Sequence, residues 1–411
     1  MSGSVSGLVS VGSDSNMLHH PHQRGQMSSP GDRFIQYVNF DSPAYNDTTR
    51  VDIPSMDMVI DDLWVEFSLG AVATSADPSY SPVPTWINSN GVQLLYSGTS
   101  IYTMSEAEAL IYPKMVPLNQ NILTKRLEAS NDVPLATRRT NNSTNPPYYL
   151  WLGPFLKILA HAGPLASYAS KKWSIIVGLL PFARIARGSD TAAATGGAIS
   201  SMRLVCIGHR ESGENIQRVA DALAGEGVRI SFTQANHQQS TYSSSATSHQ
   251  VNLTALEGEA TDLVISQRVT AGLISSVPNS GERDAFQNFP LFGDTVEIGT
   301  QQNPTRVFGV AIPQRTAKLL EQGDTYTGGS FYIDPTGAAA DEGWFAVSLC
   351  EGATIGQRFG AYSGSLRLKN NFQYILRFAT TTTANTVDTI VYVMRDMLLK
   401  HEGMVMVNRE A

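Results

Sequence analysis

Charge is scarce in this sequence. Asp, Glu, Lys and Arg make up 16% of its 411 residues, against about 25% in an ordinary globular domain. Such a chain must expose Ser, Thr, Asn, Gln and Gly instead, a surface that suits burial against neighbours. The balance is acidic, at −7. Phosphate neutralisation needs clustered Lys and Arg, yet the first thirty residues hold only Asp14, Arg24 and no Lys. No direct, sequence-specific contact with nucleic acid is expected.

Cysteine is nearly missing. Cys206 and Cys350 are the two present, with no CxxC, and each falls in a strand-like run, "MRLVCIGHR" and "WFAVSLCEG". They read as buried free thiols; whether either is oxidised is not readable from spacing. A long apolar run is also missing. The most apolar stretch, 149–183, is broken by Pro154, Lys157, His161, Pro164, Lys171 and Lys172. A membrane-spanning helix needs about 20 predominantly apolar residues, so this stretch reads as a core helix or loop followed by a strand. The opening "MSGSVSGLVSVGSDS" lacks the positive and apolar regions of a secretory signal.

Catalytic constellations are missing as well. "GHRESGE" (208–214) has phosphate-loop glycine spacing but places Glu214 where a lysine is required. There is no G-x-S-x-G, no H-E-x-x-H, and no G-x-G-x-x-G between a strand and a helix. His19, His20 and His22 lack the further ligands of a closed metal site. Residues 332–343 carry oxygen ligands without calcium-loop spacing and read as a turn. The Asp61–Asp62 doublet reads as a solvated strand end. Glycosylation sequons start at Asn46, Asn141, Asn142 and Asn252; without a signal peptide they are expected to stay unused. No residue is assigned as catalytic, cofactor-binding or metal-binding, and no cofactor is expected.

What the sequence does have is strands. In "DDLWVEFSLG" (61–70), Leu63, Val65, Phe67 and Leu69 face one side and Trp64, Glu66 and Ser68 the other. "GVQLLYSGTSIYTM" (91–104) reads as a hairpin with a Ser-Gly turn. Residues 103–112 read as a short helix capped by Ser105 and ended by Pro113. The following stretch to 147 reads as a long surface loop. The small-residue segment 187–201 reads as a linker, followed by a strand ("MRLVCIGHR") and a helix (212–227) with Ile216, Val219, Ala220 and Leu223 as its stripe. Residues 371–396 read as a pair of strands buried on both faces over part of their length. Many short strands with few helices predict an antiparallel sandwich or barrel. A jelly roll fills roughly 150–200 residues, and the chain is twice that. The domain map is an arm (1–30), a first roll (31–190) and a second roll (191–411).

This arrangement resembles the double jelly-roll major capsid proteins of tailless icosahedral viruses, the adenovirus hexon lineage. The likeness lies in 241–269, 303–312, 328–378 and 388–407, and in the first half in "IDDLWVEFSLGA" and "GTSIYTMSEAEALIYPK". The resemblance implies an all-β fold of two eight-stranded antiparallel jelly rolls side by side, with short helices in the loops. It implies no enzyme but a virion capsid subunit, a homotrimer with a pseudo-hexagonal footprint that tiles with neighbouring capsid trimers. Penton or minor capsid proteins and an internal membrane are further partners it admits. Two alternatives stand beside it. A vertex or receptor-binding spike would be another virion structural protein, marked by fibrous repeats, which the sequence lacks. A carbohydrate-active β-sandwich would need convergent carboxylates, for which Glu257 and Glu259 are the nearest candidates.

Overall fold

The computed structural model describes residues 33–73, 78–115, 120–168, 172–187, 195–253, 258–270, 291–300, 306–309, 344–348, 366–368, 372–378, 384–401 and 403–407. The first half contributes eight strands of four residues or more: β1 (Arg33–Asn39), β2 (Thr48–Ile53), β3 (Met58–Leu69), β4 (Ile87–Tyr96), β5 (Thr99–Met104), β6 (Tyr148–Trp151), β7 (Trp173–Leu179) and β8 (Ile199–Arg210). They form two antiparallel sheets, ordered β1-β8-β3-β6 and β2-β7-β4-β5. The last strand inserts between the first and third, and the seventh between the second and fourth. That is jelly-roll order.

The second half contributes β9 (Val228–Tyr242), β10 (Ser248–Asn252), β11 (Gly258–Val269), β12 (Leu291–Thr300), β13 (Arg306–Gly309), β14 (Trp344–Ser348), β15 (Leu366–Leu368), β16 (Phe372–Phe378), β17 (Asn385–Lys400) and β18 (Gly403–Val407). Its sheets are ordered β9-β17-β11-β14 and β10-β16-β12-β13, with β15 added on β11 and β18 on β17. Leaving the two additions aside, the pairing repeats that of the first half strand for strand. Both halves are jelly rolls, and the chain is a mostly β protein of two such rolls.

The repetition corrects two readings. β8 follows the small-residue segment and was expected to open the second roll at 191. It pairs instead with β1 and β3, for example Val205 with Tyr37 and Trp64. A jelly roll cannot close until its eighth strand returns to its first, so the first sheet runs through Arg210. Likewise the runs in 371–396 are not a hydrogen-bonded pair. β16 lies in one sheet of the second roll and β17 in the other. They face each other across the sandwich, where Tyr374 and Thr389 meet hydroxyl to hydroxyl at 2.5 Å. Period-2 patterning reports which side of a strand is buried, not which strand lies beside it.

Each alternation has its core. Leu63, Val65, Phe67 and Leu69 are buried, beside Met202, Leu204 and Cys206 of β8 in register. Trp86 fills the middle of the first roll, with ring centroids 5.3 Å from Phe67, 5.6 Å from Tyr80 and 5.7 Å from Tyr148. The β4–β5 turn places Ser97 at φ 51° and Gly98 at φ 82°, the two positive φ values that a two-residue hairpin turn requires.

Among the described residues, five helices of ten or more residues sit in the connections: α1 (Glu106–Met115), α2 (Gln120–Ala129), α3 (Leu135–Thr144), α4 (Gly153–Ala162) and α5 (Gly213–Ala224). Ser105 Oγ accepts the Glu108 N–H at 3.2 Å, as expected of a cap. The helix then runs past Pro113 to Met115 instead of ending there. The expected surface loop up to 147 holds α2 and α3. Lys114 and Asp132, both buried, pair at 3.1 Å and tie α1 to the turn between them. α5 matches its expected limits: Ser212 Oγ accepts the Asn215 N–H, and the Gly225 and Gly227 N–H groups bond back to Ala222. Among the described residues no helix is long and apolar enough to cross a membrane.

Candidate functional site, the seam between the rolls

The two rolls meet along a buried seam. On the second roll's side it is the outer face of the sheet β9-β17-β11-β14. Cross-strand register puts Asp262, Val264, Ser266 and Arg268 of β11 on one face with Thr386, Asp388, Ile390 and Tyr392 of β17, and with Ala235, His237 and Gln239 of β9. The opposite face, with Leu263, Ile265, Thr389 and Val391, looks into the second roll's own core. On the first roll's side the seam is built by β5, α1 and α4.

An ion cluster crosses it. Arg268, fully buried, donates from Nε to Asp388 Oδ2 at 2.9 Å, with Nη2 2.8 Å from the same oxygen. Its Nη1 reaches Glu106 Oε1 of α1 at 2.9 Å. Asp388 Oδ1 accepts from His237 Nε2 at 2.9 Å and Gln239 Nε2 at 2.8 Å. Burial opposes ionisation of Arg268 and of Asp388. Their mutual attraction outweighs it, holding the Arg268 pKa above and the Asp388 pKa below the ordinary values.

A second cluster lies on the same helix. Glu108 Oε1 accepts from Tyr102 Oη of β5 at 2.6 Å and from Tyr392 Oη of β17 at 3.5 Å. Burial pushes the Glu108 carboxyl up to about 8, opposed by the Tyr102 hydrogen bond and by Lys157. Tyr102 Oη in turn accepts the Ala235 N–H at 3.2 Å. Lys157 of α4 donates to Thr233 Oγ1 at 2.9 Å and lies over the rings of Tyr112 and Tyr392. The contacts that cross from one roll to the other are Glu106 to Arg268, Glu108 to Tyr392, Tyr102 to the Ala235 N–H and Lys157 to Thr233, and these groups are buried or half-buried. The arrangement can hold two sandwiches at fixed distance and angle. It presents no open carboxylate pair to a substrate. A cavity of about 10 Å³ beside α1, lined by Arg126, Asp132 and Trp151 among others, has room for about one water molecule.

The residues weighed from sequence lie elsewhere. Asp61 and Asp62 are not a solvated strand end. They sit within β3 at a register shift opposite Ile207–Gly208. Asp61 Oδ2 is 2.8 Å from His209 Nδ1, and Asp62 Oδ1 accepts Trp151 Nε1–H at 2.8 Å. Asn142 is buried, and its amide bonds the N–H and C=O of Val72 at 2.8 and 3.1 Å. Cys206 is a buried free thiol, pushed up to about 12 by desolvation. Glu259 sits in β11 in register with Arg367. Glu257, Cys350, the histidines at 19, 20 and 22, the arm 1–30 and residues 332–343 lie outside the described residues. Among the described residues no three His, Cys, Asp or Glu are grouped to hold a metal. The seam groups themselves were missed. Their signal was an Arg and an Asp inside strands apolar on both faces, where a charge must find a partner or be excluded.

No family model matches the sequence, and no curated protein does. Solved structures do. The chain is similar to a subunit of the capsid of the virus PBCV-1, at 13% identity and a TM-score of 0.61, over 92% of this chain and 97% of that one. It is similar to a chain of the Sputnik virophage at 10% identity and a TM-score of 0.59, over 93% and 90%. It is similar to the Faustovirus major capsid protein at 11% identity and a TM-score of 0.57, over 90% and 92%. Likeness over nine-tenths of each chain, spanning both rolls and the seam, establishes that this protein has the double jelly-roll fold.

Proposed function

We propose that this protein is the major capsid protein of a tailless icosahedral virus, forming homotrimers that tile the virion shell. The observation that carries the reading is the seam. Two rolls of one strand order stand side by side with the outer face of one sheet buried against the neighbouring roll, and the same two-roll fold occurs in the capsid structures above. Three such chains supply six rolls, enough for a pseudo-hexagonal tile. The function is geometric: sheets buried on both faces make stiff walls, and shell strength is the sum of buried contacts between tiles. The low charge fraction supports this, since tile flanks that pack together lose ionic groups first.

In this reading residues 1–30 form an arm at the tile base, and the passage between rolls lies at 211–227, after β8 closes the first. The arm is dispensable for trimer formation and required for shell assembly. Penton or minor capsid proteins are further partners. Native mass spectrometry of the purified chain tests the core of the reading. A species of three times 44.5 kDa is expected; a monomer at every concentration would overturn it.

A further inference from the structure

β8 leaves its sheet through a small polar knot. Opposite it, β3 carries one residue more than the ladder uses. Ile207 pairs with Asp62 and Gly208 with Ile60, so Asp61 falls at the shift without a register partner. Such a bulge re-aims the side chain of the extra residue. Asp61 Oδ2 lies 2.8 Å from His209 Nδ1. Two residues on, the Glu211 N–H bonds to the Asp57 carbonyl at 3.1 Å. Its carboxylate turns back toward the same imidazole, with Oε1 3.5 Å from His209 Nε2. Asn215 of α5 donates from Nδ2 to Glu211 Oε2 at 3.0 Å, which leaves Oε1 to face the ring. Arg210, between the two, turns to the Phe34 ring instead.

The knot is buried. His209 is 7% and Glu211 9% exposed, next to the exposed Ser212 and Gly213. Two carboxylates flank one imidazole, and among the described residues no Lys or Arg pairs with either. In a neutral imidazole one ring nitrogen donates and the other only accepts. With Nδ1–H held by Asp61, Nε2 turns a lone pair toward a carboxylate oxygen, and it makes no hydrogen bond. A buried polar atom left so is costly, and a positive centre belongs between Nε2 and Oε1. A shared proton draws nitrogen and oxygen to about 2.7–2.9 Å. The separation here is 3.5 Å. Two ligands on one tetrahedral ion, each at about 2.0–2.1 Å, stand roughly 3.3 Å apart, much nearer to what is seen.

We propose that His209 Nε2 and Glu211 Oε1 bind a divalent ion of the zinc class, with Asp61 holding the imidazole from behind. A carboxylate on the far ring nitrogen is the arrangement that fixes the tautomer of a ligating histidine and raises its basicity. The protein supplies two ligands, one nitrogen and one oxygen, and water completes the tetrahedron. Imidazole beside carboxylate selects zinc and its neighbours over magnesium and calcium, which take oxygen shells. The ion joins the last residues of β8 to the first turn of α5, through Glu211 and Asn215. It thereby clips the end of the first roll to the segment that leaves it. The assignment is independent of the capsid reading.

The test is zinc binding to the chelator-treated full chain carrying His19→Ala, His20→Ala and His22→Ala, which removes the other clustered histidines. Equilibrium dialysis against zinc chloride counts the bound ion, and circular dichroism reports fold and melting point. One zinc per chain is expected, with a melting point that rises with zinc and not with magnesium. His209→Asn keeps a donor for Asp61 but lacks the second ring nitrogen. It and Glu211→Gln are each expected to weaken zinc binding about 100-fold or more, and Asp61→Asn about 10–100-fold. If no zinc binds, or if His209→Asn and Glu211→Gln bind it as tightly as their parent, the site is overturned. A melting point indifferent to zinc makes a proton the positive centre and overturns it too. Should the variants misfold, deuterium uptake in the parent decides. Residues 208–215 must exchange more slowly with zinc than without it; equal uptake refutes the assignment.

Discussion

Replacing Arg268 by Met is the most demanding trial of the seam. The guanidinium carries no net exposure and serves two carboxylates, Asp388 at 2.8 Å and Glu106 at 2.9 Å. The two lose unequally. Glu106 is 11% exposed at its side chain and can turn toward water. Asp388 is fully buried and keeps only the His237 and Gln239 hydrogen bonds. Removing one partner of a buried pair costs about 3–5 kcal/mol, because a charge is left without compensation. For domains near 200 residues each kilocalorie moves the melting point by roughly 2–4 °C, so a fall on the order of 10 °C is expected by circular dichroism. Replacing both partners with apolar groups removes the stranded charge. Arg268→Met with Asp388→Leu is therefore expected to recover most of the loss, with a coupling of about 2 kcal/mol or more. The pair is buried, so the loss is expected to be nearly the same at about 0.05 and 1 M salt. A single variant within about 1 kcal/mol of wild type, or a double variant no better than the single, would refute the view that Arg268 compensates the buried Asp388 charge.

Glu108 gives a pH signature. Its folded pKa of about 8 lies above the ordinary 4.5, so its contribution to stability is whole below about 4.5 and lost as pH rises through 8. Glu108→Gln, which cannot ionise, is expected to flatten the decline in urea midpoint across that window and to be relatively more stable at pH 9; parallel curves would contradict it. Asn142→Ala strands the buried N–H and C=O of Val72 and is expected to cost about 2 kcal/mol or more, read as a thermal shift.

Much of the fold was legible because strands announce their buried side. The alternation of Leu63, Val65, Phe67 and Leu69 is the first roll's core written in order, and the Ser97–Gly98 turn and the Ser212 cap are local chemistry. Sheet partnership was not legible. β16 and β17 adjoin in sequence and look like a hairpin, yet a jelly roll sends consecutive strands to opposite sheets, and nothing in either strand says so. β8 shows the same blindness at longer range: its partners lie about 140–170 residues upstream, and the small-residue segment before it looked like a boundary. The helices α2 and α3 were hidden by composition. "LATRRTNNST" is a poor helix former by propensity, and tertiary bonds support it: Asn142 is tied to Val72 and Arg138 Nε to the Val133 carbonyl at 2.7 Å. The capsid-like architecture was read by resemblance. The seam residues were not, since Arg268 and Asp388 acquire their meaning only when β11 and β17 lie side by side.

The same strand order does different work in the two halves. In the second roll the outer sheet face carries the fully buried Arg268 and Asp388; in the first it carries Arg203 and Glu66 with the Arg203 side chain 39% exposed. A buried ion pair adds little net stability over apolar packing but penalises every misaligned alternative heavily. Placed in a seam that also buries Val264, Ile390 and Tyr392, Arg268 therefore acts less as glue than as a register pin. Sliding one roll by a single residue pair would part Glu106 from Arg268, whereas Ile390 and Val264 would tolerate it. On the capsid reading proposed above, in which the angle between the two slabs shapes the tile, that discrimination matters more than extra affinity. It explains why a chain so poor in charge keeps some of it at the least accessible point of the molecule.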